Sequence, residues 1–188
     1  MTRMTLETPH MLLNAKTCTS LPEIGNFEIL NGMAKALPAA DTKHQRIATK
    51  LTAFLHNTLE RRNRGIVMGA PSSVMLSSRD IVKPDVFFIR KNREGILGEQ
   101  IILGPPDLIV EITSDDSWER DMHEKRKIYS DAGIQEYWIV DPEAETVEQL
   151  VWCELGYIAI VKDQECKVLS SAFFPDLEIP VSEVFAQP

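Results

Sequence analysis

The stretch GPPDLIVEITSDD, Gly104 to Asp116, decides how the rest of the chain is read. Leu108, Ile109, Val110 and Ile112 give it the profile of a buried β-strand. Glu111 interrupts that profile. An unpaired carboxylate in such a strand costs several kcal/mol or takes up a proton, so the fold must bring Glu111 a partner. The pleat narrows where that partner lies. Asp107, Ile109, Glu111 and Thr113 share one face, and Leu108, Val110 and Ile112 the other.

Upstream, KPDVFFIR repeats the anomaly: Asp85 stands at the mouth of an apolar strand that Pro84 forces to begin extended. The 26-residue separation between Asp85 and Glu111 accommodates a strand, a loop and a return, so the two strands can be neighbours. Two carboxylates brought together repel, and a divalent cation relieves the repulsion. Oxygen ligands of this kind suit magnesium, which takes one or two carboxylates and keeps its waters for a phosphate substrate. The alternative is that each acid pairs with a lysine or caps a turn.

Downstream, the spacing predicts a helix from about Trp118 to Ala132, stopped by Gly133. At roughly 100° per residue, Trp118, Asp121, Lys125, Ile128, Tyr129 and Ala132 fall within one arc of about 120°, and it is the apolar arc. Lys125 therefore points toward the sheet, and Lys127 lies on the solvated face. Asp121 and Lys125 stand at i,i+4, so they are also placed to pair with each other.

The remaining elements fall around these. NFEILNG, Asn26 to Gly32, alternates apolar with polar and ends in the hairpin signal Asn-Gly. A helix follows, capped by Asp41 or Thr42, with Ile47, Leu51, Phe54, Leu55 and Leu59 at helical spacing and Gly65 as its terminator. GIVMG, SVMLSS and EYWIVDP read as strands, and TVEQLVW, YIAIVKD and CKVLSS as an antiparallel meander. Two helices among many strands predict a mixed α+β sheet with helices on its faces. Residues 1–22 are polar and irregular, and no linker divides residues 23–188, which reads as one domain.

Composition bounds the function. No apolar run approaches the roughly 18 residues of a membrane helix. Cys18, Cys153 and Cys166 form neither a CxxC pair nor a zinc cluster, which fits reduced thiols in a cytoplasmic protein. A net charge of −8 argues against tight non-specific binding to nucleic acid. One basic region, Lys43 to Arg64, stands out, and a solvated helix face is the simpler account of it.

Together these residues resemble a family. Pro84-Asp85 followed by Glu111 on a second strand looks like the PD-(D/E)XK nuclease signature. PDLIVEITS followed by RDMHEKRKIYSDAGIQEYWIVDP is similar to the Uma-two type restriction endonucleases. The resemblance runs from about Phe27 to Asp141. It implies an αβββαβ nuclease core with additional antiparallel strands, a magnesium ion that manganese can replace, cleavage of DNA, and pairing as a homodimer. It makes Asp85 and Glu111 metal ligands, with the backbone carbonyl of Ile112 a third. Where the superfamily places lysine two residues after the glutamate, this chain has Thr113. Members of the family commonly carry that lysine on the following helix, which agrees with Lys125. Glu28 and His44 match further family positions as accessory candidates, although a surface strand glutamate and a core histidine are the simpler readings of them. Asp121 is a third accessory candidate, as a group orienting Lys125. Two other functions compete. One is a catalytically degenerate nuclease fold that binds nucleic acid or protein. The other is a two-carboxylate glycoside hydrolase, which leaves Lys125 unexplained.

Overall fold

The computed structural model describes residues 27–114, 118, 120–161 and 167–187. The irregular segment expected at 1–22 lies outside them, as do Cys18, Cys166 and the side chain of Asp121.

The decisive stretch forms β8 (Leu108–Ile112), with every residue buried. It lies inside a six-stranded sheet of order β11-β10-β9-β8-β6-β3. Its neighbours there are β3 (Gly65–Gly69), β6 (Val86–Arg90), β9 (Glu136–Asp141), β10 (Thr146–Cys153) and β11 (Gly156–Val161). All pairings are antiparallel except β8 with β9. A parallel pair cannot be closed by a tight turn and needs a crossover. Here the crossover contains a π-helical turn, Arg120–Lys125, that runs into helix α2 (Arg126–Asp131). The element carrying Lys125 is thus tied by topology to β8.

The pleat of β8 sorts the core as expected. Leu108, Val110 and Ile112 pack with Ile47, Leu51, Leu55 and Leu59 of helix α1 (Thr42–Leu55) and the turn after it. Ile109 packs on the opposite face with Ile128, Tyr129 and Tyr137. A second sheet, of order β2-β1-β5-β4-β7, contributes Leu30, Val74, Val82 and Ile102 to that second face. It is built from β1 (Phe27–Leu30), β2 (Met33–Ala36), β4 (Ser73–Met75), β5 (Ile81–Val82) and β7 (Ile101–Leu103). Asn31 and Gly32 both adopt positive φ, 54° and 82°, as the predicted Asn-Gly hairpin requires. No helix among the described residues is long and apolar enough to cross a membrane.

Three expectations change. Gly65 does not terminate the first helix. α1 continues through a π-helical turn, His56–Glu60, and Asn63 supplies the left-handed residue at φ 57°. Gly65 instead opens β3, where a Cβ would lie 2.0 Å from the carbonyl oxygen of Ile89 on the paired strand. The meander also stops at two strands after β9. Val168–Ser170 (β12) leaves the sheet and pairs with β13 (Glu178–Pro180), which places Leu169 and Ile179 over the α1 face of the core. Finally, Trp118 belongs to the apolar arc of an ideal helix yet is 45% exposed. The intervening π-helical turn inserts an extra residue and rotates the register upstream of Arg126.

Candidate functional site

The antiparallel ladder pairs Val86 with Val110, so Asp85 lies one step beyond it, opposite Glu111. The two carboxylates nevertheless have different surroundings. Asp85 accepts the backbone N–H of Ile112 at 2.7 Å and lies 2.9 Å from Nε2 of His44. His44 sits in the first turn of α1, whose N-terminus is fixed by Asp41 accepting the His44 N–H at 2.7 Å. The core-histidine reading is therefore corrected: His44 is held at Asp85 because the cap aims the first turn of α1 at that strand. The structure shows the N–H of Ile112 meeting Asp85, whereas the sequence reading singled out its carbonyl.

Glu111 turns toward the crossover. Its Oε1 accepts from Nζ of Lys125 at 2.9 Å and from the hydroxyl of Tyr129 at 2.5 Å. Lys125 is 1% exposed, as its position on the apolar arc implies, whereas Lys127 lies in solvent beside Asp131. The ammonium of Lys125 has a second carboxylate at 3.0 Å, that of Glu28. The surface-strand reading of Glu28 is thereby corrected. β1 lies between β2 and β5, and Glu28 projects inward with no exposed surface. Its Oε1 also accepts the backbone N–H of Lys83 at 2.7 Å, and its Oε2 is buried without a hydrogen-bond partner. Burial lowers the pKa of Lys83, against the raising influence of Glu28. Tyr129 is shifted well above the ordinary phenol range, first by burial and then by the charges of Glu111 and Glu28, so it stays a proton donor to Glu111.

Two carboxylates, one ammonium and a neutral phenol thus form a buried group with surplus negative charge. Glu111 and Lys125 of this group line a cleft of about 600 Å³ at the carboxyl ends of the parallel strands β8 and β9, the end of an open sheet where ligands bind. Its walls include Asp85, Glu111, Lys125, His44, Lys83, Arg120 and Trp118. Five carboxylates face three cations around the lining. The basic run at Lys43–Arg64 does not form a stripe along this cleft. Lys43 pairs with Glu143, Lys50 binds the carbonyls of Glu183 and Ala186, and Arg62 and Arg64 engage Asp176. Among the described residues, no three His, Cys, Asp or Glu side chains gather as a metal-holding group.

Tyr129 was legible in the sequence as a member of the apolar arc and of the stretch that carries the family resemblance, and Lys83 only as the residue before Pro84. Nothing local signals that either meets an acid from a distant strand.

This architecture, a mixed sheet whose one parallel pair is spanned by a lysine-bearing crossover, is that of a nuclease fold. It matches the crystal structure of a "putative nuclease" from Anabaena variabilis ATCC 29413 with a TM-score of 0.75 and 18% identity, covering 90% of this chain and 96% of that one. Residues 16–182 match the Uma2 family, described as "Putative restriction endonuclease", and the chain belongs to that family. No curated protein matches it.

Proposed function

We propose that this chain is a metal-dependent endonuclease that hydrolyses phosphodiester bonds of DNA. The observation that supports this reading best is the convergence of Asp85, Glu111 and Lys125 on one cleft at the ends of β8 and β9. Asp85 and Glu111 would hold a magnesium ion, with the Ile112 carbonyl as a further ligand. The residues present fit such an ion. The donors are hard oxygens, Asp85 and Glu111 both line the cleft, and magnesium needs only one or two carboxylates. The excess of carboxylates around the cleft also means that a phosphate enters more readily with a cation alongside. A bound divalent ion lowers the pKa of water and screens phosphate charge.

The protein's own groups do the positioning. Asp85 is held by the Ile112 N–H and by His44. Lys125 neutralises and orients Glu111, and from there assists the attacking water. Tyr129 fixes the same carboxylate oxygen from the next turn of the helix.

Nicking of supercoiled plasmid tests this reading. Cleavage should require magnesium or manganese, stop with EDTA, and fall to background in Asp85→Ala and Glu111→Gln at unchanged circular dichroism. Cleavage that survives in both variants refutes it. The alternative, a catalytically degenerate module, is favoured by one feature: both oxygens of Asp85 already have partners. Manganese calorimetry decides between them, since binding abolished by Asp85→Ala supports the enzyme and no heat with the wild type supports the module.

A further inference from the structure

The geometry points to an unpaired DNA strand as the ligand of this cleft, with a nucleobase stacked on Trp118. This rests on the cleft being a nucleic-acid site, and it goes beyond that reading by naming the strand state and the residue that selects it. Glu111 and Lys125 adjoin the cleft with only 3% and 1% of their surfaces exposed. A phosphodiester reaches them only by entering. A cleft of about 600 Å³ falls in the range that encloses a small ligand, roughly 300–1,000 Å³. One unpaired strand can feed a nucleotide into such a space, whereas a rigid duplex stops at its mouth.

Trp118 lines this cleft and is 45% exposed. Its indole is not splayed at random: the His123 ring meets it edge to face, with centroids 6.0 Å apart at 89°. That contact occupies one part of the indole, and 45% of the residue stays exposed. Leu37, Pro38, Ala39 and Pro71 add apolar surface to the lining, which a flat base can cover. A backbone-tracking site is cationic, but carboxylates outnumber cations here. Stacking must therefore carry an unusual share of the affinity, and it tolerates any base because every base has a π-face.

The test is fluorescence anisotropy of the full chain with two probes, a short labelled oligodeoxythymidylate and a blunt hairpin duplex. Calcium replaces magnesium, and gels verify that the probes stay intact. The single strand should bind more tightly than the hairpin and quench tryptophan emission. Trp118→Ala should weaken single-strand binding by roughly 5- to 150-fold, the range for loss of one base–aromatic stack, with little effect on the hairpin. Trp118→Phe should keep most of the affinity and lose the quench. Three results overturn the proposal: no binding of the single strand, a hairpin that binds as tightly, or an unchanged affinity in Trp118→Ala. Failure of the nuclease reading is a separate outcome, seen as Trp118-dependent binding without cleavage in magnesium.

Discussion

Replacing Lys125 with methionine removes the one ammonium shared by Glu28 and Glu111 and leaves a side chain of similar length. Both acids lie on the same nitrogen, at 3.0 and 2.9 Å, so the oxygens that held it are at most about 6 Å apart. At an effective dielectric of about 20, two unit charges at that distance repel by about 3 kcal/mol. That agrees with the loss of about 3–5 kcal/mol expected when one partner of a buried ion pair is removed. In a chain of this size, each kcal/mol lowers the melting temperature by about 2–4 °C, so Lys125→Met should melt about 6–20 °C below the wild type. Urea unfolding at neutral pH, followed by circular dichroism, measures the free energy directly. The cycle is completed by Glu28→Gln. Alone it should cost little, because Lys125 still neutralises Glu111. Added to Lys125→Met, it should restore about 2–3 kcal/mol by removing one of the two charges. The restored double variant should still fail to nick DNA, which separates the lysine's part in folding from the part proposed for it in the chemistry. The reasoning is refuted if Lys125→Met unfolds within about 1 kcal/mol of the wild type, or if Glu28→Gln destabilises both backgrounds equally.

Tyr129→Phe removes a buried hydroxyl from Glu111 and should cost about 1.5–3 kcal/mol in the same urea assay, the range for a hydrogen bond to a charged group. Tyr129 keeps its proton in the folded state beyond the ordinary phenol pKa of about 10, so its contribution is complete below that pH and is lost as pH rises past it. The wild type should therefore lose stability above pH ~10 more steeply than Tyr129→Phe, and parallel curves would contradict the assignment. Gly69→Ala probes the backbone of the site: a Cβ there would lie 2.2 Å from the carbonyl oxygen of Asp85. The strand carrying Asp85 must shift, so stability should drop by about 1–3 kcal/mol and nicking with it. An alanine variant with both properties intact would show that this close approach is unimportant.

What could be read in the sequence depended on range. The alternation within β8 assigned Ile109 and Glu111 to one face and Leu108, Val110 and Ile112 to the other, and the two core clusters keep that division. The wheel placed Lys125 correctly because the regular α-helix begins at the next residue, Arg126. It failed for Trp118, beyond the π-helical turn, where 100° per residue no longer holds. Glu28 was misjudged for another reason. An alternating strand has an inside and an outside, but nothing within FEIL says whether a distant lysine will fill the inside. His44 was misjudged because a histidine at core spacing looks the same whether it meets apolar neighbours or an aspartate. The C-terminal strands were recognised as strands, yet their partner was not, since β12 pairs forward to a short segment with little alternation.

The departure at Thr113 has a physical account in the same topology. Position 113 shares the face of Glu111 by pleat, and a lysine there would be the shortest way to set an ammonium beside it. Thr113 is instead drawn into the strand pairing: its N–H and its hydroxyl both bond the carbonyl of Val140, at 2.8 and 3.2 Å. It is 4% exposed. A lysine at this position would give up the hydroxyl contact to β9. The parallel pairing of β8 with β9 makes that unnecessary. Parallel strands demand a crossover, and this one packs Ile128 and Tyr129 against Ile109 and Tyr137 on the face where Glu111 lies. Any inward lysine one turn before Tyr129 is delivered over β8. The charge beside Glu111 is thus supplied by the connection and not by the strand, and Glu28 fixes it in place from a second sheet. A lysine held between two carboxylates, at 3.0 and 2.9 Å, has its ammonium fixed from two sheets at once.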